Sequence, residues 1–369
     1  MYFSPRKCRK DFCILLILLC LLSVNAAGQS GGGYEVKSSV IAAGGATSAA
    51  GSYSISGTIG QPIAGGPLNG DSLVVKVGFW HTIEATVLPQ FDFDGDKRAD
   101  IAVFRPSDGN WYVIKSSDSS LVQEQWGAVG DVPVPADYDG DKKTDIAVWR
   151  GSDGNWYIIK SSGGQMLYGW GASSLGDIPV PGDYDGDGKA DAAVFRAPEG
   201  NWYIKSSRDG SAIVKKWGMA GDQLVPADYD GDGRTDIAIY RPSESNWYIV
   251  NSSTGALTLK QWGLGTDKPV PADYDADGRA DIAVWRPASG NWLIINSSTN
   301  MVTVKAWGAE SLNDVPVPGD YDADGRADIA VWREADGNWY IIQSETNTSR
   351  RDNLGLPADK PLPSTRVPQ

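Results

Sequence analysis

Short apolar segments recur in a fixed order along residues 86–366. Each unit has a Pro-rich run such as Val-Pro-Val-Pro, then Asp-Ile-Ala-Val-Trp-Arg, then Trp-Tyr-Ile-Ile-Lys-Ser-Ser, and last a run that ends in Trp-Gly. Proline excludes helix from the first run, and branched and aromatic residues favour strands in the others. Turn sequences such as Asp108-Gly109-Asn110 separate the runs, and Asp-Gly is a hairpin signal. The pattern therefore predicts four strands in each unit.

The middle strands of a unit are apolar on both faces. Ile146 and Val148 fall on one face of the second strand, and Ala147 and Trp149 fall on the other. A sheet with one face in water would alternate apolar and polar residues. Four-stranded sheets that are buried on both faces and repeated radially are the blades of a β-propeller. We therefore expect an all-β propeller, in which the repeated tryptophans pack between blades.

Each unit also carries an acidic nonapeptide of the form Asp-x-Asp-x-Asp-x-x-x-Asp, and the six copies start 45, 46, 45, 45 and 47 residues apart. Four carboxylates within nine residues repel one another unless a cation intervenes, and hard oxygen donors suit calcium. We expect the side chains at positions 1, 3, 5 and 9 and the carbonyl at position 7 to bind about six calcium ions. These ligands are Asp92, Asp94, Asp96, Arg98 and Asp100; Asp137, Asp139, Asp141, Lys143 and Asp145; Asp183, Asp185, Asp187, Lys189 and Asp191; Asp228, Asp230, Asp232, Arg234 and Asp236; Asp273, Asp275, Asp277, Arg279 and Asp281; and Asp320, Asp322, Asp324, Arg326 and Asp328.

Two other interpretations of the nonapeptide fit less well. An EF-hand needs a Glu at position 12 between two helices, whereas position 12 here is apolar, as at Val148, and lies in a strand-like run. Solvated turns that bind nothing need at most one or two such residues. Position 6 is Gly in the last four copies but Lys97 and Lys142 in the first two, so we expect these two sites to bind calcium more weakly.

The chain begins with a predicted signal peptide at residues 1–26. Basic residues precede an apolar core of 13 residues, Phe12 to Val24, which is short for a membrane span. A lipoprotein signal at Cys20 is the less favoured alternative, because no small residue precedes this cysteine. All three cysteines lie in this segment, so the exported chain would contain no disulfide. We expect a secreted, extracellular protein, with the periplasm as a possible location.

Charge argues against a nucleic-acid partner. The whole chain has a net charge of −13, and removal of the signal peptide leaves 29 basic and 45 acidic residues. Six calcium ions would neutralise most of the remaining excess, so the acidity reflects the metal sites rather than a preference for basic partners.

The motif Asp-Tyr-Asp-Gly-Asp-Gly-x-x-Asp-Ile-Ala-Val followed by a hairpin resembles the FG-GAP or VCBS-type repeats of integrin α-subunit heads and of many secreted bacterial proteins. The resemblance covers residues 86–366, with Trp-Gly and Pro-Val-Pro in place of the Phe-Gly and Gly-Ala-Pro of the name. It implies calcium in the loop between the first and second strands. It also implies an extracellular binding or adhesion setting, in which the ligand is a protein or a polysaccharide.

The sequence leaves two ways to close the ring open. Asp359-Lys360-Pro361-Leu362 repeats the first-strand pattern without a following acidic loop, and residues 27–85 contain three strand-like runs separated by Gly-rich turns. These strands could together form a seventh, metal-free blade in a propeller domain that otherwise spans residues 86–369. This arrangement is slightly preferred over six blades beside an independent Gly-rich β-module.

Enzymatic chemistry is disfavoured, because His81 is the only histidine and the chain shows no nucleophile-elbow, zinc-protease or phosphate-loop motif. Three classes remain: a non-catalytic adhesion or scaffold protein, a multivalent lectin, and a less favoured carbohydrate-active enzyme. The face opposite the acidic loops repeats an Arg and an Asn that could bind glycan hydroxyls or acidic groups. The stronger interpretation is structural: each Arg pairs with a neighbouring Asp, and each Asn caps its own hairpin. The residues are Arg105, Asn110, Arg150, Asn155, Arg196, Asn201, Arg241, Asn246, Arg286, Asn291, Arg333 and Asn338.

Overall fold

The computed structural model describes residues 44–50, 53–59, 68–70, 73–75 and 91–362, and the chain divides into two compact units, Met1–Ile83 and Glu84–Gln369. In the first unit, β1 (Gly44–Ala50) pairs with β2 (Tyr53–Ile59), and β3 (Leu68–Gly70) pairs with β4 (Leu73–Val75), both antiparallel. The predicted signal peptide and the predicted boundary at residue 85 lie outside the described residues.

The second unit is a β-propeller of six four-stranded antiparallel blades, so the predicted fold class is confirmed. The strands are β5 (Ile101–Arg105), β6 (Asn110–Ile114) and β7 (Leu121–Gln125); β8 (Val132–Pro133), β9 (Ile146–Arg150), β10 (Asn155–Ile159) and β11 (Gln165–Gly169); β12 (Asp177–Pro179), β13 (Ala192–Arg196), β14 (Asn201–Lys205) and β15 (Ala212–Lys216); β16 (Gln223–Leu224), β17 (Ile237–Arg241), β18 (Asn246–Val250) and β19 (Leu257–Gln261); β20 (Lys268–Pro269), β21 (Ile282–Arg286), β22 (Asn291–Ile295) and β23 (Val302–Ala306); β24 (Asp314–Pro316), β25 (Ile329–Arg333), β26 (Asn338–Ile342) and β27 (Ser349–Asn353); and β28 (Lys360–Leu362). Short 3-10 helices at Ser173–Leu175 and Glu310–Leu312 precede β12 and β24.

We number the blades along the chain, and we number the strands of each blade from the first to the fourth in the order of the repeat. Blades 2 to 6 are β8–β11, β12–β15, β16–β19, β20–β23 and β24–β27. Blade 1 has the order β28-β5-β6-β7, so its first strand comes from the C-terminal end of the chain. Lys360 pairs with Phe104, and Leu362 pairs with Ala102. The C-terminal first-strand pattern therefore fills the place that is missing from the first repeat.

This pairing makes the predicted seventh blade wrong. The C-terminal strand is already used in blade 1, and the described strands of the N-terminal unit pair only with one another. The physical reason lies in the run Lys360-Pro361-Leu362. It has the same extended, Pro-containing pattern as the other first strands, and the exposed edge of β5 offers it the same backbone partners.

Tryptophans hold neighbouring blades together, as the repeated pattern predicts. The third-strand residue Trp156 is fully buried, and its indole N–H donates to the carbonyl of Trp170 at 3.0 Å. Trp170 in turn donates across the blade boundary to the carbonyl of Tyr203 at 2.9 Å. The core clusters also span blades: Val148 of blade 2 packs with Phe104 and Trp111 of blade 1. The second strand of each blade is thus buried on both faces.

The first strands of all six blades surround a central channel of about 1850 Å³. Proline residues such as Pro133, Pro179 and Pro269 line this channel. Proline lacks a backbone N–H, and it is tolerated here because the first strand is an edge strand of its blade. The loops between first and second strands lie at one end of the channel, and the loops between successive blades lie at the other. Among the described residues, no helix is long and apolar enough to cross a membrane.

Candidate functional site

In blades 2 to 6 the acidic nonapeptides form the loops between the first and second strands, and in blade 1 the nonapeptide directly precedes the second strand β5; we call all six the Asp loops. In each blade the loop is closed by a backbone hydrogen bond between its ends. In blade 2, the N–H of Asp145 at position 9 donates to the carbonyl of Ala136, which precedes position 1, at 2.8 Å. All predicted metal ligands of one repeat therefore lie on one short loop.

The carboxylate at position 1 organises its own loop. In blade 4, Asp228 accepts the N–H of Gly231 at 2.6 Å with Oδ1 and the N–H of Gly233 at 2.8 Å with Oδ2. Burial raises the pKa of this carboxyl, against the lowering effect of these two hydrogen bonds. The same pattern of N–H groups from positions 4 and 6 occurs in the other five loops.

The carboxylate at position 9 is completely buried in every Asp loop. In blade 4, Asp236 accepts N–H groups from Tyr229 within the loop and from Ser252 after the third strand, at 2.9 and 2.6 Å. Burial raises the pKa of Asp236 to about 6, although both hydrogen bonds lower it. Burial likewise raises the pKa of Asp328 to about 7. A nearby cation would favour the charged form of these acids.

In blades 1 to 4 the carboxylates at positions 3 and 5 accept hydrogen bonds from the hydroxyls of two serines that follow the third strand. In blade 4, the hydroxyl of Ser253 donates to Oδ2 of Asp230 at 2.6 Å, and the hydroxyl of Ser252 donates to Oδ1 of Asp232 at 2.8 Å. The second oxygen of Asp230 and that of Asp275, both Oδ1, are buried without a hydrogen-bond partner in the described part of the chain. Unpaired buried carboxylate oxygens are costly, and a bound cation would satisfy them.

Three carboxylates converge closely enough to share one ion in each of the first five Asp loops. In blades 2 to 5 they belong to positions 1, 3 and 9, and in blade 1 they belong to positions 1, 3 and 5, with oxygen atoms within 4.8 Å of one another. Oxygen donors in this arrangement fit calcium better than a softer metal. Position 5 is partly engaged by the basic residue at position 7: Arg98 contacts Asp96 at 2.6 Å, and Arg234 contacts Asp232 at 2.7 Å.

Backbone hydrogen bonds also join each Asp loop to the next. The N–H at position 8 of one loop donates to the carbonyl at position 1 of the preceding loop, as Thr144 does to Asp92 at 2.7 Å. The series continues around the propeller and closes where Ala99 of blade 1 donates to Asp320 of blade 6 at 2.6 Å. The six loops therefore form one hydrogen-bonded ring at this end of the channel.

Two positions of every Asp loop take a positive φ. Position 6 does so at Lys97 and Lys142, at 71° and 69°, as well as at the four glycines. Position 4 does so as well, and here blades 5 and 6 have Ala276 and Ala323, at 63° and 68°. A residue with a Cβ pays a conformational cost there. Only blades 3 and 4 have Gly at both positions, so strain falls on blades 5 and 6 as well as on blades 1 and 2. The weaker binding expected of the first two sites stays a prediction.

The predicted ligand residues of the opposite face are engaged within the chain. In blade 2, Nε and Nη2 of Arg150 donate to the two oxygens of Asp131 at 2.8 and 2.9 Å. The other pairs are Arg105–Asp359, Arg196–Asp177, Arg241–Asp222, Arg286–Asp267 and Arg333–Asp314. The Asn residues begin the third strands, and Asn110 and Asn155 each donate a backbone N–H to an Asp of their own hairpin turn. Their binding to an external ligand stays a prediction.

The sequence interpretation expected each Arg to pair with an Asp of a neighbouring turn, but it did not identify which Asp. The buried Asp of each Arg pair stands shortly before or at the start of a first strand, 19 residues before its Arg in blades 2 to 6. The serines that hold positions 3, 5 and 9 are also repeated, as Ser116-Ser117 and Ser252-Ser253. In both cases the recurrence of the residue at a fixed distance was the available signal.

Comparison with known proteins identifies the repeat. A family model described as an FG-GAP-like repeat matches residues 92–148, 137–194, 228–284 and 273–331, which together cover more than half of the chain. The chain belongs to the FG-GAP-like repeat family. The resemblance stated from the acidic motif is thus confirmed, and the matched segments each run from one Asp loop into the second strand of the next blade.

Solved structures with similar folds include a lectin of Agrocybe aegerita, described for specific recognition of non-reducing terminal N-acetylglucosamine. This match has 15% identity and a TM-score of 0.49, and it covers 72% of this chain and 79% of the lectin. A virginiamycin B lyase from Staphylococcus aureus matches with 9% identity and a TM-score of 0.44, over 73% of this chain and 88% of the lyase. No curated protein matches the chain.

Proposed function

We propose that this FG-GAP repeat protein is an exported, calcium-stabilised propeller that acts as a non-catalytic binding, adhesion or scaffold protein. The observation that carries the calcium assignment is the convergence of three carboxylates in each of five Asp loops, with oxygens within 4.8 Å of one another. The unpartnered Oδ1 atoms of Asp230 and Asp275 support it, since a cation would satisfy both.

Positions 1, 3 and 9 would hold the ion, and position 5 and the carbonyl at position 7 would complete the set. When bound, calcium would neutralise the carboxylates that otherwise repel one another. The protein's own contribution is to orient these carboxylates. Backbone N–H groups fix Asp228 and Asp236, and Ser253 fixes Asp230.

The ring of hydrogen bonds between loops supports a structural role for the metal. A loop that calcium orders also positions the carbonyl that the next loop needs, as between Asp92 and Thr144. An ion that binds only the folded state stabilises it by about 2.7 kcal/mol for each site at a hundredfold excess over Kd. Several such sites would contribute a large part of a typical domain stability of about 5–15 kcal/mol.

Calcium titration of the exported protein tests this proposal. We expect a chelator to lower the melting temperature and calcium to restore it, because the ions bind the folded state. Asp230→Asn should reduce the number of bound calcium ions by one, measured by calorimetry or elemental analysis. Glu124→Gln removes a charge from an exposed outer strand and should leave the number unchanged. A melting temperature that responded to neither chelator nor calcium would overturn the calcium assignment.

The non-catalytic part of the proposal rests on how the acidic residues are used. The repeated buried carboxylates, which are candidates for the pair that a glycosidase would need, are here engaged in Asp loops or in pairs such as Arg150–Asp131. Export rests on the predicted signal peptide. N-terminal sequencing of the protein recovered from the culture medium tests it, and a chain that retained residues 1–26 would contradict it.

A further inference from the structure

A cavity of about 350 Å³ lies between blades 4 and 5, on the face opposite the Asp loops, and we call it the blade 4–5 pocket. Ser245, Gln261, Trp262 and Leu264 of blade 4 line it together with Arg286 and Leu293 of blade 5. A pocket of this size accommodates one monosaccharide-sized ligand, and its mixture of apolar, hydroxyl, amide and guanidinium groups is typical of small-molecule sites.

The pocket lies where blade 5 departs from the repeat. In the other five blades a Tyr stands at the third position of the third strand, and the Arg that ends the second strand lies over its ring at 4.3–4.7 Å. Blade 5 has Leu293 there. The shorter side chain leaves the guanidinium of Arg286 without the aromatic cover that its counterparts have.

A second departure changes the charge around Arg286. The hairpin turn after the second strand carries an acid in five blades, namely Asp108, Asp153, Glu199, Glu244 and Asp336, whereas blade 5 has Ser289. Among the acidic residues that the structure describes, Arg286 therefore pairs with Asp267 alone, to which Nε and Nη2 donate at 3.0 and 2.8 Å. Nη1 of Arg286 has no hydrogen-bond partner among the residues that the structure describes. An anion that approaches this guanidinium meets one carboxylate fewer than it would in another blade.

Blade 4 departs from the repeat on the other side of the same pocket. Ser245 stands where the other five blades have Gly, and it keeps the positive φ of that position at 57°. Tyr240 stands where the other blades have Phe or Trp, and its hydroxyl donates to the carbonyl of Leu264 at 2.5 Å. Four departures from an otherwise regular repeat thus meet at one blade boundary. Regular repeats serve the fold, and irregular positions on loops are where binding residues concentrate.

We propose that the blade 4–5 pocket binds an acidic monosaccharide, with its carboxylate at Nη1 of Arg286, its hydroxyls at Ser245 and Gln261, and its apolar face against Trp262 and Leu293. A guanidinium is the side chain best suited to a carboxylate. The indole N–H of Trp262 is already used by the carbonyl of Leu293 at 3.1 Å, so the ring contributes its apolar surface. This site is separate from the Asp loops and does not depend on the calcium proposal.

Saturation-transfer NMR with D-glucuronate as the probe tests the proposal on the full-length exported protein in calcium. We expect binding with a Kd on the order of 1 mM, as suits a ligand of this size. Leu293→Tyr restores the residue of the other five blades, so the variant should fold normally and lose binding by about tenfold or more. Ser289→Asp restores the missing turn acid at an exposed position and should weaken binding severalfold. Gln165→Glu adds the same charge on an exposed outer strand of blade 2 and should leave binding unchanged.

Two comparison ligands separate the parts of the proposal. Glucose lacks the carboxylate and should bind at least about tenfold more weakly than glucuronate, whereas acetate lacks the sugar ring and should compete poorly. Equal binding of glucose, or equally effective competition by acetate, would overturn the acidic-sugar assignment. Unchanged glucuronate binding by Leu293→Tyr would overturn the pocket itself. The glucuronate titration is repeated after chelation, and the melting temperature is measured separately. The two measurements show whether a negative result comes from the pocket or from a failure of the calcium proposal.

Discussion

The ion pair between Arg105 and Asp359 closes the propeller ring, and its loss should destabilise the whole domain. Nε and Nη2 of Arg105 donate to the two oxygens of Asp359 at 2.8 and 2.9 Å, across a separation of 254 residues. The Asp359 side chain is 2% exposed and that of Arg105 is 20% exposed. Removing one partner of a buried pair costs about 3–5 kcal/mol. Because Arg105 keeps some contact with water and Asn keeps one acceptor oxygen, we expect Asp359→Asn to cost about 2–3 kcal/mol.

Urea unfolding followed by tryptophan fluorescence in saturating calcium measures this loss from the midpoint and the slope of the transition. Asp131→Asn is the matched control, because it breaks the equivalent pair with Arg150 inside blade 2, where the partners are only 19 residues apart. Both variants should lose similar free energy of unfolding. Only Asp359→Asn should also speed hydrogen exchange in β28, because Asp359 directly precedes this three-residue strand, which can detach locally, whereas Asp131 lies in blade 2.

A double-mutant cycle with Arg105→Gln isolates the pair from other effects of the substitution. If Asp359→Asn cost less than about 0.5 kcal/mol, the value typical of neutral surface changes, while Asp131→Asn cost the expected amount, the ring would be held closed without this pair. The same conclusion would follow if exchange in β28 were unaffected.

Three further predictions concern the Asp loops and the core. Because burial raises the pKa of Asp236 and Asp281 to about 6, protons compete with calcium below that pH, and calorimetry should show calcium affinity falling between pH 7 and pH 5. The metal-free protein should instead gain thermal stability as the pH falls from 7 towards 4, because the folded state binds these protons more tightly than the unfolded chain does. A melting temperature that did not change with pH would contradict this. Ala276→Gly should stabilise the protein by about 1 kcal/mol in urea unfolding, because it relieves a φ of 63°. Gly233→Ala, at a φ of 81° with nothing near its added Cβ, should cost a similar amount. If both variants had the stability of the unchanged protein, the loop backbone would have relaxed. Trp247→Ala should cost about 3–5 kcal/mol because the side chain is fully buried, whereas Leu257→Ala, on an exposed outer strand, should stay within about 0.5 kcal/mol.

The order of strands within a repeat was predictable because the contacts that define it are local. The second and third strands are joined by a turn of four residues, Pro106 to Gly109 in blade 1, and pair in the register Arg105 with Asn110. Apolar residues on both faces of these strands require partners on both sides, which already implies radial packing. The positions of the Asp loops followed from the same periodicity.

The arrangement within the Asp loops was only partly predictable. Spacing placed four carboxylates in one loop, but it did not distinguish position 5, where Arg98 and Arg234 engage the carboxylates of Asp96 and Asp232. The spacing also did not predict the positive φ at position 4. Four repeats have Gly at this position, so the need for a positive φ becomes visible only in the backbone angles of Ala276 and Ala323. Backbone conformation depends on the closed loop as a whole rather than on residue type alone.

The sequence by itself determined the repeat, its four strands, the acidic loops and the buried tryptophans, because each follows from residues within about 45 positions of one another. Only the tertiary structure decided how many blades close the ring, since the partner of Ile101–Arg105 is the strand Lys360–Leu362 at the far end of the chain. It also decided where the repeat leaves a pocket. Leu293 and Ser245 are ordinary substitutions in separate repeats, and they define one cavity only because packing places their blades side by side.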